Sequence, residues 1–372
     1  MNEHKGSVLM AQFPKVGFLS LMATAWVVGV ATPEVKMQSV VPIRRVFGPE
    51  HPGGKYKHPA SLTQLKNSDL YLTYYCGSGE YATDTAVYGA RLPNGATTWS
   101  TPAPIADTPF RSEGNPVVWQ APDGLVWLFY VVRYGATWST SLIQAKVSRD
   151  GAKTWSDPML LTMEQGMMVR SRPLALPGGD ILLPVYHETG HDTEAVGPDS
   201  TSMFFRFDAQ KHTWTQTNRI GSRLGNIQPS VERILDDYLV AYCRRGGDYS
   251  GRPDGRIVRS ESRDGGRTWS PGTETEFKNP NAAVEFLRLK NGHLLLIFND
   301  SLKSRTPLTI ARSTDQDRTY PVRRNLVEGP GDFAYPYSIQ AADGKIHVIF
   351  TSNGRTTIHH AVFEENELFL QK

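Results

Sequence analysis

Short runs of apolar residues alternate with turn-forming residues along most of the chain, and the pattern restarts about every fifty residues. In several units an Asp-Gly or Asn-Gly pair precedes such a run, as before Leu125–Tyr130, His293–Phe298 and Lys345–Phe350. These pairs favour hairpin turns, and short apolar runs between turns are typical of β-strands. Because the units show no amphipathic helical period, the pattern predicts an all-β protein.

A series of prolines keeps the same period. The six prolines are Pro59, Pro116, Pro173, Pro229, Pro280 and Pro336, separated by 57, 57, 56, 51 and 56 residues. Each stands at the head of a strand-like run, where a missing backbone N–H costs least.

A short turn motif that ends in an aromatic residue repeats as well. Its best copies are Ser148–Trp155 and Ser262–Trp269, and weaker copies are Ser313–Tyr320, Phe207–Trp214 and Arg91–Trp99. The aromatics, from Trp99 to Tyr320, lie 56, 59, 55 and 51 residues apart. In such a turn Asp caps its own backbone, Gly takes the positive φ, and the aromatic packs back between units.

Six such units predict a six-bladed β-propeller, and a long β-sandwich is the alternative fold. The last unit lacks the aromatic turn, so Val40–Phe47 is expected to close the ring by completing the last blade. We expect residues 32–372 to form this single domain.

The N-terminal segment Met1–Ala31 has the pattern of a secretory signal. Lys5 and Lys15 give a basic start, Val16–Ala31 carries no charge, and Gly29-Val30-Ala31 offers a cleavage site. The apolar run is shorter than the ~20 residues of a membrane span, although an uncleaved anchor is the alternative. We expect a periplasmic or secreted protein with no membrane span after cleavage.

The amino-acid composition limits the kinds of binding partner and of stabilising site that we expect. Forty basic and 37 acidic side chains leave a net charge of +3, too balanced to favour nucleic acid. The two cysteines, Cys76 and Cys243, exclude a disulfide scaffold and a four-cysteine zinc site, and leave either one disulfide or two buried thiols. No cofactor and no metal are expected, and the chain is expected to be a monomer.

In a propeller the first strand of each blade runs along the central channel, so the residues that lead these strands meet at one mouth. The leading residues are Lys57-His58, Glu113-Gly114-Asn115, Arg170-Ser171-Arg172, Asn226-Ile227-Gln228, Asn279-Pro280-Asn281 and Tyr335. Convergent polar side chains at a mouth predict a site for a small polar ligand, and the cations among them outnumber the carboxylates that could pair with them. Alternatively, the side chains satisfy one another and the channel water.

The turns at Ser148 and Ser262 resemble the Asp-boxes (Ser-x-Asp-x-Gly-x-Thr-Trp) of the sialidase, or neuraminidase, superfamily, with Ala152 replacing the glycine in the first copy. The resemblance extends over nearly all of the mature chain and implies a six-bladed propeller. It also implies three arginines that hold a sugar carboxylate, a tyrosine nucleophile that a glutamate activates, and an aspartate acid/base.

Several of these roles can be assigned by the resemblance. Phe333-Ala334-Tyr335 is similar to the nucleophile segment, so Tyr335 is the expected nucleophile. One arginine corresponds to Arg305 and another to Arg244 or Arg245. The acid/base is expected at Asp84, or else at Glu80.

Two positions depart from the family pattern. Lys57-His58-Pro59 stands where the first arginine is expected, and Asn226-Ile227-Gln228 stands where the activating glutamate is expected. A lysine lacks the bidentate fork of arginine, and asparagine cannot accept a proton. The replacements expected for the clamp are Arg170, Arg172, Arg44 or Arg45, and for the base Glu113. The full expected substrate-binding set is Lys57, Arg170, Arg172, Asn226, Gln228, Arg244, Arg245, Asn281 and Arg305.

Three functions remain open at this point. The first, which the resemblance favours, is an exo-glycosidase acting on an acidic sugar such as a terminal sialic acid in an oligosaccharide or glycoconjugate. The second is a polysaccharide lyase next to a uronate, with His58 as base beside Tyr335, Arg172 and Arg244. The third is a non-catalytic carbohydrate-binding propeller, in which Tyr74, Tyr75, Tyr81 or Tyr249 could stack on sugars.

One metal motif also occurs. The segment His187–His191 fits H-E-x-x-H, which binds zinc when it lies on a helix. It follows the strand-like run Ile181–Tyr186 and contains Gly190, so we expect His187 or Glu188 to be a channel-mouth side chain instead.

Overall fold

The computed structural model describes residues 37–190 and 195–369, and the expected signal segment lies outside these ranges. The described chain forms six antiparallel sheets that follow one another in sequence. This arrangement is the six-bladed β-propeller that the repeats predict, and it excludes a sandwich.

The strands are short and fall into sequence order. Two strands precede the first full blade: β1 Gln38–Ser39 and β2 Ile43–Phe47. Blade one holds β3 Tyr56–Gln64, β4 Leu70–Gly77, β5 Ala86–Leu92 and β6 Ala103–Ala106. Blade two holds β7 Ser112–Gln120, β8 Val126–Arg133, β9 Ser141–Ser148 and β10 Met159–Leu160. Blade three holds β11 Met167–Val169, β12 Leu174–Ala175, β13 Ile181–His187, β14 Thr201–Asp208 and β15 Thr213–Gln216.

The second half continues in the same way. Blade four holds β16 Asn226–Leu235, β17 Tyr238–Arg245, β18 Arg256–Ser262 and β19 Thr273–Lys278. Blade five holds β20 Glu285–Arg288, β21 Leu294–Asn299, β22 Leu308–Ser313 and β23 Val322–Glu328. Blade six holds β24 Phe333–Gln340, β25 Ile346–Ser352 and β26 Thr357–Phe363. The helices are short: 3₁₀ turns at Trp138–Thr140 and Pro177–Gly179, and α1 Glu365–Phe369.

The start of the described chain closes the ring. Strand β2 pairs with β26 as the outer strand of blade six, and β1 adds to the outer strand of blade five. The predicted closing strand Val40–Phe47 is thus confirmed, although it begins at Ile43. Because β2 pairs with β26, the outer edge of β26 is covered by a strand from the other end of the chain.

Four of the six prolines mark a bulge inside an inner strand, so the prediction that they head strands is wrong for these four, whereas Pro173 directly precedes β12. Pro59 and Pro116 lie inside β3 and β7, at the points where the pairing register shifts. Similar shifts occur at Pro229 in β16 and Pro336 in β24. A bulge leaves one residue unpaired, so the missing N–H of proline is tolerated there.

The repeated turns have the hydrogen bonds expected of them. Asp264 accepts from the backbone N–H groups of Arg267 and Thr268, both at 2.9 Å, and from the Thr268 hydroxyl at 2.6 Å. Asp150 and Asp315 make equivalent contacts in blades two and five. These turns fix the ends of β9, β18 and β22.

The aromatic of each turn packs against the preceding blade. Trp269 stacks on Phe204 with ring centroids 4.2 Å apart, and Trp155 lies 6.3 Å from Tyr71. Burial of these aromatic side chains between neighbouring blades stabilises the closed circle of six blades. Both cysteines are free and buried, in blades one and four, so the disulfide alternative is excluded. No helix within residues 37–190 and 195–369 is long and apolar enough to cross a membrane.

Candidate active site

The leading ends of the inner strands surround a hollow at one mouth of the channel. Its enclosed volume is about 30 Å³, and the space reaches about 440 Å³ when the part open to solvent is included. The polar residues that line this central hollow are Glu80, Asn115, Tyr186, Glu188, Gln228, Arg244, Tyr249, Tyr335 and Arg355. Blades one to four and six all contribute to this set, which confirms that the leading residues of separate blades converge.

The bulges aim side chains into this hollow. Asn115, Gln228 and Tyr335 each precede a bulge proline and have positive φ angles of 45°, 56° and 55°. This left-handed conformation is costly for residues other than glycine, and it is typical of functional sites. It turns the side chain out of the strand alternation and toward the channel axis.

Tyr335 lies at the floor of the hollow. Its side chain is largely buried, and its hydroxyl accepts a hydrogen bond from Nη1 of Arg244 at 2.9 Å. The ring of His58 meets its ring edge-on, with centroids 4.2 Å apart. The expected nucleophile is therefore held in place by contacts from two other blades.

Arg244, rather than Arg245, faces the hollow. Its Nε donates to Asn281 at 2.6 Å, Nη1 donates to Gln228 at 3.3 Å, and Nη2 donates to Tyr249 at 3.0 Å. The Arg245 guanidinium turns away and donates to backbone carbonyls, including that of Asn279 at 2.8 Å. Neighbouring residues of a strand point to opposite faces, so only one of the pair can reach the site.

Arg305 stands beside Tyr335 with its charge unpaired. Its guanidinium carbon lies 5.4 Å from the ring centroid of Tyr335 and 5.5 Å from that of Tyr249. Its Nη2 is enclosed and has no hydrogen-bond partner among the described residues. Burial lowers the pKa of Arg305, and the neighbouring Arg244 adds to this effect. An anion in the hollow would satisfy this guanidinium.

Arg355 supplies a third guanidinium that the sequence did not indicate. It lies in the turn between β25 and β26, with φ of 65°, and donates to the Glu80 carboxylate. Its Nη1 also lies 3.4 Å from the Tyr56 hydroxyl. Arg355 thus takes the place expected for Lys57, Arg170, Arg172, Arg44 or Arg45.

Glu80 replaces Asp84 as the candidate carboxylate from blade one. Glu80 lines the hollow, whereas Asp84 is exposed and accepts from the backbone N–H and the hydroxyl of Ser78 at 3.1 and 2.9 Å. Asp84 therefore closes its own loop, and the expected acid/base role does not fall to it.

Glu188 is a second carboxylate at the hollow. It follows β13 directly, and burial raises its pKa to about 7, although the charge of Arg244 opposes this shift. Its position confirms the expectation that this segment contributes a channel-mouth side chain. His187 ends a strand, not a helix, and His191 lies outside the described residues. No group of three or more metal-binding side chains occurs in the described part of the chain.

Positive charge dominates around the phenol of Tyr335. Burial alone raises the pKa of a tyrosine, and the Glu80 charge acts in the same direction. The guanidinium groups of Arg244, Arg305 and Arg355 outweigh both effects and lower the pKa of Tyr335 below its ordinary value. The site therefore favours phenolate, the nucleophilic form.

Two leading residues of blade one do not reach the ligand space. Lys57 is fully buried, and its ammonium group donates to the carbonyls of His51, at 3.1 Å, and Gly54. His58 is buried beneath Tyr335, and its Nδ1 lies 2.8 Å from the Thr351 hydroxyl. Burial and the surrounding arginines hold the pKa of His58 well below its usual range, so it stays neutral.

Glu113, the expected replacement base from blade two, and Asn226, the expected substrate-binding residue from blade four, are also elsewhere. Asn226 accepts from the backbone N–H of Ser202 at 3.2 Å and donates to the Ile220 carbonyl at 2.9 Å. Glu113 accepts from the backbone N–H of Thr108 at 2.6 Å, and burial raises its pKa to about 7. Neither lines the hollow, because each lies two residues before the bulge residue that does.

Arg170 and Arg172 do not line the hollow. Arg172 donates to the Glu232 carboxylate at 2.6 Å. Arg170 is 3% exposed and donates to the Val284 carbonyl at 2.9 Å. Gln228 and Asn281 do take part in the site, but they do so by holding Arg244.

Some contributors were not identified as site residues from the sequence. Tyr186 accepts from Nδ2 of Asn115 at 3.0 Å inside the hollow. Tyr249 and Tyr81 line it, in agreement with their listing among possible sugar-stacking aromatics, whereas Tyr74 and Tyr75 pack inside blade one. Among the polar residues that line the hollow, Arg355 and Tyr186 gave no sequence signal, since neither leads an inner strand.

Comparison with known proteins places this geometry in a family. The model of the family described as BNR repeat-like domain matches residues 68–348. No curated protein matches the sequence significantly.

Solved structures share the fold at low sequence identity. The Hadza microbial sialidase Hz136 is similar with a TM-score of 0.70 and 16% identity, over 84% of this chain and 66% of that one. A protein of unknown function from Dyadobacter fermentans has a TM-score of 0.72 and 16% identity, over 88% and 99% of the two chains. The NanB sialidase from Streptococcus pneumoniae has a TM-score of 0.71 and 11% identity, over 88% and 71%.

This chain spans about two thirds of the length of the first of these structures. At such identities the likeness concerns the fold. The match over residues 68–348 and the six blades around a common channel show that the chain belongs to the family of BNR repeat-like domains, and its fold is similar to that of the solved sialidases.

Proposed function

We propose that this protein is an exo-glycosidase of sialidase type that removes a terminal acidic sugar, such as sialic acid, from an oligosaccharide or glycoconjugate. One observation carries the proposal: the phenol of Tyr335 lies among three guanidinium groups, one of which, Arg305, has no partner among the described residues. An unpaired buried charge is costly, and a ligand carboxylate would compensate it.

The arginines have different tasks in this proposal. Arg305 and the remaining N–H of Arg244 bind the sugar carboxylate, because planar guanidinium groups match its two oxygens. Arg355 is already paired with Glu80, so it joins the clamp only if that pair opens or shares its donors. The carboxylate then places the adjacent anomeric carbon above the Tyr335 oxygen.

Two carboxylates can move the protons. Tyr335 attacks the anomeric carbon as phenolate, and Glu80, whose charge acts on Tyr335, accepts the phenol proton. Glu188, with a pKa of about 7, protonates the leaving oxygen as the glycosidic bond breaks. Water deprotonated by Glu188 then displaces Tyr335, which restores the enzyme.

The lyase alternative now has less support. It requires a base at the C5 proton of a uronate, and His58 is covered by the ring that it supports. Tyr335 remains the other candidate base, since a phenolate can also abstract a proton. A non-catalytic propeller would bind a carboxylate through the same arginines and release no product.

A product assay separates the three functions. Sialylated oligosaccharide and glucuronate-containing polysaccharide are incubated with the protein and with Tyr335→Phe. We expect free sialic acid from the wild-type protein alone. An ultraviolet-absorbing unsaturated uronate would instead establish the lyase, and binding without product from either substrate would establish a carbohydrate-binding propeller.

The cellular location of the protein is part of the same proposal. We propose that Met1–Ala31 is removed as a secretory signal and that the propeller acts as a monomer in the periplasm or outside the cell. N-terminal sequencing of the exported protein tests the cleavage site after Ala31, and light scattering tests the monomer.

A further inference from the structure

Arg170 crosses the channel beneath the hollow. It follows β11 in blade three, yet its Nη1 donates to the Val284 carbonyl ahead of blade five and its Nη2 donates to the Pro336 carbonyl in blade six. Its guanidinium carbon lies 5.7 Å from the centroid of the Tyr335 ring. One buried side chain therefore connects three blades behind Tyr335.

Glu285 completes this connection. Its Oε2 lies 3.5 Å from Nη1 of Arg170, and its Oε1 accepts from both the backbone N–H and the hydroxyl of Ser338, each at 3.2 Å. Arg170 and Glu285 thus grip β24 at Pro336 and at Ser338. Pro336 directly follows Tyr335 and Ser338 lies three residues after it, and the φ of 55° at Tyr335 needs support from its surroundings.

We propose that Arg170 is a positioning residue for Tyr335: it holds the bulged backbone after the nucleophile and places a fixed positive charge behind the phenol ring. The inference rests on the proposed role of Tyr335. It assigns to Arg170 an indirect function, because its guanidinium is buried under the site and does not contact a ligand.

Other charges also face Tyr335, so the test must isolate Arg170. The charged and titratable groups around Tyr335 include Arg244, Arg305, Arg355, Arg170, His58, Glu80 and Tyr186. Arg172 is a matched control. It is a partly buried channel arginine paired with Glu232. The charges that mainly set the pKa of Arg172 are those of Glu232, Glu285 and Tyr337, whereas Tyr335 is among the groups that act on the pKa of Arg170.

The experiment is an ultraviolet titration of tyrosinate that needs no substrate. The difference between the wild-type protein and Tyr335→Phe isolates one phenol, whose midpoint we expect below the ordinary value of about 10. The same difference is measured with Arg170→Met, Arg170→Lys and Arg172→Met backgrounds. Thermal unfolding of each variant confirms that it is folded at the temperature used.

The expected pattern has three parts. Arg170→Met raises the Tyr335 midpoint by about one pH unit or more, whereas Arg172→Met leaves it in place. Arg170→Lys keeps the charge and the midpoint but cannot span both carbonyls, so with a sialoside its kcat falls about tenfold or more at unchanged KM. If Arg170→Met does not fold, Arg170→Lys still tests the backbone grip.

Each failure has a separate meaning. An unchanged midpoint in Arg170→Met, or full kcat in Arg170→Lys, would overturn the positioning role and leave the proposed function intact. If Tyr335→Phe removes no phenol with a low midpoint, the proposed role of Tyr335 itself fails.

Discussion

Because Arg305 is unpaired among the described residues, we predict that its replacement weakens ligand binding without lowering the stability of the fold. Replacing Arg305 with Met removes the guanidinium beside Tyr335 and leaves no described side chain without its hydrogen-bond partner. Replacing Arg244 with Met removes donors to four side chains at once: Asn281, Gln228, Tyr335 and Tyr249. Only the first substitution should therefore be harmless to the fold.

The magnitudes follow from these contacts. Two charge-assisted hydrogen bonds to a carboxylate contribute about 3 kcal/mol together, so Arg305→Met should weaken binding of free sialic acid about 100-fold. The same variant should keep or slightly raise the thermal midpoint, since an unpaired buried charge is removed. Arg244→Met should lose both binding and about 3 kcal/mol of unfolding free energy.

Calorimetric titration with sialic acid and thermal unfolding by circular dichroism give the two readouts. The reasoning is refuted if Arg305→Met binds sialic acid as the wild type does, or if it unfolds as early as Arg244→Met. Arg245→Met serves as a control, because its guanidinium holds a loop and should affect stability without a direct effect on the carboxylate.

The remaining predictions concern other groups. Glu188→Gln should abolish cleavage of natural sialosides but spare cleavage of sialosides with an activated aryl leaving group. The raised pKa keeps the wild-type acid protonated below about pH 7, so the decline in activity as pH rises through about 7 should disappear in the variant. Equal losses of activity on natural and aryl sialosides would contradict this role. Burial raises the pKa of Glu113 from 4.5 to about 7, so the folded state binds more protons and stability should fall as pH rises between these values. Glu113→Gln should remove roughly 3 kcal/mol of this pH dependence of the unfolding free energy, measured by denaturant titration. An unaltered pH profile would contradict the assignment. Nδ1 of His347 lies 2.9 Å from Nε2 of His360, and burial lowers the pKa values of the two residues to about 4 and about 3. The folded state therefore binds fewer protons, and stability should rise with pH up to about 6.5. His360→Gln should reduce this acid sensitivity, measured as the thermal midpoint at pH 5 relative to pH 7.5. Asp264→Ala should cost about 1 kcal/mol of unfolding free energy through lost turn hydrogen bonds, with the weaker turn variant Asp208→Ala costing less in the same measurement.

The fold was predictable because its signals are local and repeated. A turn such as Ser262–Trp269 needs only its own residues to form, and copies at an even spacing imply equivalent blades. The closing role of Val40–Phe47 followed from counting, since one blade lacked an outer strand.

The site was predictable only in part, because side-chain direction depends on the bulge. Tyr335, Arg244 and Arg305 were identified and are brought together. Lys57 and Asn226 lie close in sequence to bulge residues but point into the packing between loops and blades. One residue of register decides which face a strand residue occupies, and composition carries no record of that register.

Arg355 could not be found by the same reasoning. It enters from the turn between β25 and β26, far in sequence from the leading residues, and depends on its left-handed φ and on Glu80. Arg355 is held beside Arg244 and Arg305 by its pairing with the carboxylate of Glu80, which is also a loop residue. Such tertiary pairs have no sequence period.

Covalent trapping tests the central claim most directly. A fluorinated sialyl fluoride loses fluoride when a nucleophile attacks its anomeric carbon, and the fluorinated sugar stays attached long enough for mass spectrometry of the digested protein. The account predicts one fluorosialyl group on the peptide that carries Tyr335, and none on Tyr335→Phe. A label on another residue, or release of sialic acid by a protein that never becomes labelled, would contradict it.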